Sequence, residues 1–135
     1  MPFGAFTPML ASLALGFVKG LTADRASHFN PEMDFIGPVR EELIYRGLPL
    51  WAKPNLPFGS TAAVFAIDHI AHDMTRAGRE GEVMQPLEIA ARFGDVLLGG
   101  CMYEAAARGP GGILAAIGCH VGHNVACGLG SRVRR

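Results

Sequence analysis

The chain has 135 residues, half of them hydrophobic and only 18% charged, with Lys and Arg (12) balanced by Asp and Glu (12). That length bounds it at one domain, residues 1–135, and a net charge of +0 gives no electrostatic footing for a nucleic acid. A mean hydropathy of +0.25 is high for a soluble domain of this size.

Gly (18) and Pro (9) would be heavy for a soluble helical protein, whereas membrane helices tolerate both. Cys101, Cys119 and Cys127 lie in apolar segments without Cys-x-x-Cys spacing, so they read as small core residues and imply no disulfide framework.

Residues 1–18 carry no charge and end at Lys19, a length that just spans a hydrocarbon core of about 30 Å. A cleaved signal peptide is the rival reading, but no basic residue precedes the apolar run, so a first membrane helix is expected. Residues 20–37 are polar and carry helix breakers, which reads as a loop. Pro38 then suits the first turn of a helix that runs through Glu41-Glu42-Leu43-Ile44-Tyr45-Arg46-Gly47 to about Trp51. Trp51 and Lys53 form an interface pair, and Pro54 and Pro57 end the segment.

Residues 58–71 form a short small-residue helix of the kind that packs closely in lipid, with Ser60 and Thr61 as caps. Residues 72–86, with Arg76, Arg79, Glu80 and Glu82, read as a solvated loop. Residues 89–107 resume an apolar helix containing Gly94, Gly99 and Gly100, and Arg108-Gly109-Pro110-Gly111-Gly112 is a tight turn. Residues 113–130 make a last apolar helix bearing His120, His123 and Asn124.

The expected fold is therefore all-α: a polytopic transmembrane bundle of about four to five membrane helices around a polar cavity, integral to the bilayer. With five spans, Lys19, Arg25, Arg40, Arg76, Arg79, Arg132, Arg134 and Arg135 gather on one side, against Lys53 and Arg108 on the other. The positive-inside rule then makes the C-terminus cytoplasmic and puts the N-terminus outside.

Ionisable groups within such helices are costly in lipid and mark function. Glu42 and Arg46 are four residues apart and share a helix face, so they can pair. Glu41 lies about 100° around the helix from Glu42 and is left to face a cavity, where a desolvated carboxylate can serve as a general base near neutral pH. A second helix supplies Asp68 and His69, with Phe65 one turn before His69. The last supplies His120 and Asn124, again four apart.

Taken singly, a helical histidine is a satisfied core residue and a Glu–Arg pair is structural. Their co-occurrence in apolar helices points instead to one shared polar cavity. There Glu41 can take a proton from water, His69 can orient that water, and His120 and Asn124 can donate to the oxyanion of a tetrahedral intermediate. No serine or cysteine beside a histidine argues for a covalent nucleophile. Asp68 is open between orienting the neighbourhood of His69, pairing with Arg92, and capping a polar face; Tyr45 and Tyr103 read as core or cavity wall.

Metal ligation is the rival chemistry. His69-x-x-His72 and His120-x-x-His123 each put two imidazoles on one face, and Glu41, His69 and His120 would be the ligand set for a zinc ion. There is no His-Glu-x-x-His, and His72 falls at the expected helix end, where it reads as interfacial. The site as read calls for no cofactor.

Glu41-Glu42-x-x-x-Arg46, Phe65-x-x-x-His69 and His120-x-x-x-Asn124 occur in the order that marks the CPBP family, the CAAX prenyl endopeptidase and bacteriocin-processing (Abi) proteins, which this chain resembles over about residues 35–126. The glycine-spaced helix Phe93-Gly94…Gly99-Gly100…Tyr103 and the Gly-Pro-Gly turn into the His120 helix fit the same spacing. The resemblance implies glutamate-dependent peptide hydrolysis inside the membrane. In it Glu41 and His69 activate water, His120 and Asn124 form the oxyanion hole, and Glu42 and Arg46 support the site.

Family members usually have more helices before the Glu-Glu motif, as expected if this chain is a minimal version, a fragment or an internal start. Two functions follow as expectations. One is an intramembrane endopeptidase acting on a membrane-associated peptide or protein; the other is a non-catalytic membrane module that binds a peptide or partner in an immunity or assembly role.

Overall fold

The computed structural model describes residues 3–23 and 29–133. These form five helices and no strand: α1 (Phe3–Thr22), α2 (residues 32–52), α3 (Ser60–Arg79), α4 (Pro86–Arg108) and α5 (Gly112–Val133). Residues 24–28, and with them Arg25, lie outside the described residues, as do Arg134 and Arg135.

Helix α2 alternates between two registers. Glu32–Ile36 and Leu43–Gly47 are π-helical, while Gly37–Glu42 and Leu48–Ala52 are α-helical. The cause is legible in its prolines. The N–H of Gly37 bonds back to the carbonyl of Glu32, and that of Leu48 to Leu43, so each widened turn closes just before Pro38 or Pro49. A proline has no N–H and its ring collides with the carbonyl four residues earlier; the five-residue register moves that carbonyl aside and the helix passes through unbroken.

The start of α2 overturns the loop expected over residues 32–37. Asn30 caps the first turn, its side-chain oxygen accepting the Glu32 N–H at 3.0 Å while Asp34 reaches back to the Asn30 N–H at 2.8 Å.

Helix α3 also runs further than residue 71. Charge alone does not stop a helix. The chain continues to Arg79 and ends where Gly81 turns left-handed (φ 76°), with Glu82 N–H on the Ala77 carbonyl and Gly81 N–H on Gly78. His72 is therefore inside the helix, not at its end.

At its start, Ser60 and Thr61 are not the caps. The cap is Glu104 of α4, a fully buried carboxylate that accepts the Gly59 N–H (3.1 Å), the Ala62 N–H (3.1 Å) and the Thr61 hydroxyl (2.7 Å). Arg108 holds Glu104 at 2.7 Å and the Leu56 carbonyl at 2.8 Å, which ties the 53–59 connection to α4.

The helices alternate in direction. Asp73 meets Arg92 and Thr61 meets Glu104, so α3 and α4 are antiparallel. Met33 meets Asn124 and Glu42 meets His120, which sets α2 against α5. Helices α1 and α5 run parallel and approach backbone to backbone. A Cβ added at Gly16 or Gly20 would fall 2.3 Å from the His123 carbonyl oxygen or 2.0 Å from that of Cys127. Gly16-x-x-x-Gly20 is the small-residue spacing that permits such contact between membrane helices.

These directions put Lys19, Arg76, Arg79, Arg92 and Arg132 toward one end of the bundle, with Lys53 and Arg108 toward the other.

Among the described residues, one helix, Gly112–Val133, is long and apolar enough to cross a membrane by length and composition, and the apolar run Thr7–Thr22 is shorter. The four to five spans expected from sequence are thus not all visible by that measure. Hydropathy penalises α3 and α4 for Asp73, Arg92, Asp95 and Glu104, although these are paired: Arg92–Asp73 at 2.9 Å and Lys19–Asp95 at 2.8 Å across helices, and Arg108–Glu104 at 2.7 Å one turn apart within α4. Arg92 takes Asp73 and Asp95 rather than Asp68, which instead accepts the Tyr45 hydroxyl. Two small buried clusters, Phe65-Ala66-Val96 and Tyr103-Ala106-Ala116-Cys119, pack the interior.

Candidate active site

Adjacent residues on a helix diverge, and here that separates the two glutamates. Glu42 points inward with no accessible surface, while Glu41 keeps 32% of its side chain accessible. Glu41 faces a cavity of about 460 Å³ whose wall also includes Phe65, His69, His120, His123 and Asn124. The cavity extends toward the basic end, past His72, Asp73, Arg76, Arg92, Asp95 and Lys19. The structure thus brings Glu41, His69, His120 and Asn124 to one space.

The carboxylate of Glu41 is the hinge of the arrangement. Its Oε2 lies 3.7 Å from His69 Nε2 and 3.8 Å from His120 Nε2. Each imidazole is aimed by what holds its other nitrogen. In His69, Nδ1–H donates to the Phe65 carbonyl at 2.9 Å, four residues back on the same helix. A carbonyl only accepts, so in the neutral ring that bond keeps the proton on Nδ1 and turns the Nε2 lone pair toward Glu41. The Phe65 ring packs against His69 with 4.1 Å between centroids and keeps it in place.

His120 is held differently. Its Nδ1 is 2.8 Å from Glu42 Oε1, and its ring stacks on Tyr103 at 4.4 Å and 15°. The same Glu42 oxygen accepts Arg46 Nη1 at 2.8 Å. Glu42 and Arg46 are both fully buried, and the guanidinium also donates to the Gly100 carbonyl at 3.2 Å and lies 4.6 Å over Phe65 and 5.3 Å over Tyr103. Glu42 Oε2 and Arg46 Nε are buried without a partner among the described residues.

A His120 protonated on both nitrogens would balance the charges of Glu41, Glu42 and Arg46 and turn an Nε2–H to the side of Glu41. A carboxylate that orients an imidazole and balances its charge is the arrangement proteins use to run proton transfer.

Asn124 is positioned by an irregularity in α2. Its Nδ2 donates to the Met33 carbonyl at 3.2 Å. In the π-helical register that carbonyl faces residue 38, a proline with no N–H to give, so it stays open to a side chain. An amide nitrogen carries two hydrogens, and the second remains for the cavity.

Three features were not legible from spacing. One is the second duty of Glu42 toward His120. Another is the stack of Tyr103 beneath that ring. The third is His123, which the sequence offers only as half of a metal pair but which lines the cavity one turn beyond His120. The His-x-x-His spacing was the available signal for His123; Glu42 and Tyr103 gave none.

Among the described residues no group of three or more His, Cys, Asp and Glu side chains converges as metal ligands do.

The chain's likeness to known proteins agrees with the motifs. Residues 33–126 match the protein-family model described as Type II CAAX prenyl endopeptidase Rce1-like. No curated protein and no solved structure matches. The matched segment begins at the first turn of α2 and ends within α5, so it encloses Glu41, Glu42, Arg46, His69, His120 and Asn124 and covers well over half the chain. The chain belongs to the Rce1-like family of type II CAAX prenyl endopeptidases.

Proposed function

We propose that this protein is an intramembrane endopeptidase that hydrolyses a peptide bond of a membrane-associated substrate by glutamate-activated water. The observation that carries the reading is the placement of Glu41 Oε2 at 3.7 Å and 3.8 Å from two histidine Nε2 atoms on one cavity. Such separations exceed a direct hydrogen bond and suit a shared water.

Glu41 accepts a proton from that water while the His69 lone pair aligns it, and the oxygen adds to the scissile carbonyl. Charge building on the carbonyl oxygen is met by His120 Nε2–H and the free Asn124 N–H, a contribution of about 10²–10³ in rate for each such donor. Glu41 then returns the proton to the leaving nitrogen as the C–N bond breaks, giving an acid and an amine with no net loss of charge or atoms. Glu42 and Arg46 hold His120, and Phe65 holds His69. No step calls for a cofactor, so a chelator should leave the rate unchanged.

The family's description implies a substrate ending in a prenylated Cys-aliphatic-aliphatic-X sequence. Alternating helix directions, the basic end of the bundle and the exposed apolar side chains Ile44, Leu48, Trp51, Val64, Ile67 and Leu98 support five helices in the bilayer. The same charge bias supports a cytoplasmic C-terminus.

The test is cleavage of a fluorogenic peptide with a farnesylated Cys-aliphatic-aliphatic-X end by the detergent-purified protein. Glu41→Ala and His69→Ala should each abolish turnover while keeping the helical circular dichroism of the parent. Full activity in either variant sinks the mechanism. A protein that binds the peptide without cutting it, and binds as well as Glu41→Gln, would be the non-catalytic module instead.

A further inference from the structure

His123 is unused by the mechanism above, yet it is built into the site. The residue is 7% accessible and lines the same cavity as Glu41 and His120. Its Nδ1–H donates to the Ser12 carbonyl of α1 at 3.1 Å, and Ser12 is itself fixed by a hydroxyl bond of 2.8 Å to the Cys119 carbonyl. A carbonyl partner keeps the proton on Nδ1, so Nε2 is a lone pair. That nitrogen has no partner among the described residues and is not sealed in the interior, so it opens on the cavity.

Helix α5 thus presents three polar groups within little more than one turn: donors at His120 and Asn124, with an acceptor between them at His123. An extended peptide backbone presents the complementary set, a carbonyl oxygen followed by an N–H.

We propose that His123 is a substrate-positioning residue whose Nε2 accepts one backbone N–H of the bound peptide beside the scissile bond. The inference rests on the peptidase reading and adds a specificity to it. At one position next to the cleaved bond the substrate must carry a free N–H, so proline and N-methylated residues are refused there. Helix α1, which lies outside the family match, contributes through Ser12 by holding the ring in the accepting tautomer.

The experiment uses the full chain in detergent and the farnesylated fluorogenic peptide, unmodified or N-methylated in turn at each amide except the scissile one. In the parent protein one N-methyl position should lower kcat/KM by about tenfold, the loss expected when a buried acceptor is left without its donor. His123→Phe should show that loss with the unmodified peptide, mainly in KM, and no further loss on methylation at that position. His123→Gln, which keeps an acceptor, should recover most of it and serves as the comparison if the Phe variant does not fold.

Equal N-methyl penalties in parent and variant at every position overturn the proposal. The same peptides are also titrated by fluorescence anisotropy against Glu41→Gln with and without the His123 substitution. Coupling seen there without turnover in the parent would keep His123 as the peptide-backbone acceptor while removing the hydrolytic reading.

Discussion

Removing Glu42 tests the energetic centre of the site. Glu42 and Arg46 have no accessible surface and meet at 2.8 Å. Truncation of Glu42 to alanine therefore leaves a guanidinium in the interior with the Gly100 carbonyl at 3.2 Å and two aromatic faces at 4.6 and 5.3 Å. Breaking a buried pair from one side costs about 3–5 kcal/mol, and the ring faces return no more than about 2 kcal/mol of it, already present in the parent. His120 Nδ1 also loses its acceptor, worth about 1 kcal/mol.

Glu42→Ala should thus be destabilised by roughly 4–6 kcal/mol. The double variant Glu42→Leu, Arg46→Met removes both charges and fills the volume, so only the His120 contribution and packing remain, about 1–2 kcal/mol. Helix content followed by far-ultraviolet circular dichroism, as SDS is titrated into mild-detergent micelles, ranks the three proteins at equilibrium. A double variant as unstable as Glu42→Ala would refute the buried-charge argument, because the loss would then come from packing alone.

Three further outcomes follow from the geometry. Glu42→Gln keeps the shape but not the charge that balances His120, so kcat should fall by about 10² while KM stays within about twofold, as when one oxyanion donor is lost. An unchanged kcat would release Glu42 from that role. At the α1–α5 contact, Gly20→Ala must push the helices apart and should cost about 1–3 kcal/mol. Gly94→Ala, in a helix interior with nothing within 4 Å of the added Cβ, should stabilise by about 0.5–1 kcal/mol in the same titration.

What the sequence alone determined is what local periodicity encodes. A pair four residues apart must share a helix face, so spacing alone groups Glu42 with Arg46, Phe65 with His69 and His120 with Asn124. The divergence of Glu41 from Glu42 follows from the same 100° step. The all-helical fold and the glycine turn at residues 109–112 were legible for similar reasons, and the order of the motifs carried the family.

Tertiary structure decided the rest, because the deciding partners are remote in the chain. Helix α3 starts where Glu104, 45 residues from Gly59, supplies a carboxylate, not where Ser60 and Thr61 offer hydroxyls. It ends at the left-handed Gly81 rather than at the first charged residue, and Arg92 of α4 pairs Asp73 within that last stretch. Glu42 is both counter-ion and orienting group only because His120 arrives from 78 residues away, and His123 becomes an acceptor at Nε2 only because the Ser12 carbonyl, 111 residues distant, accepts a hydrogen bond from its Nδ1–H. Spacing along a helix says which face a histidine occupies; which nitrogen it offers depends on the atom that the fold places behind the ring.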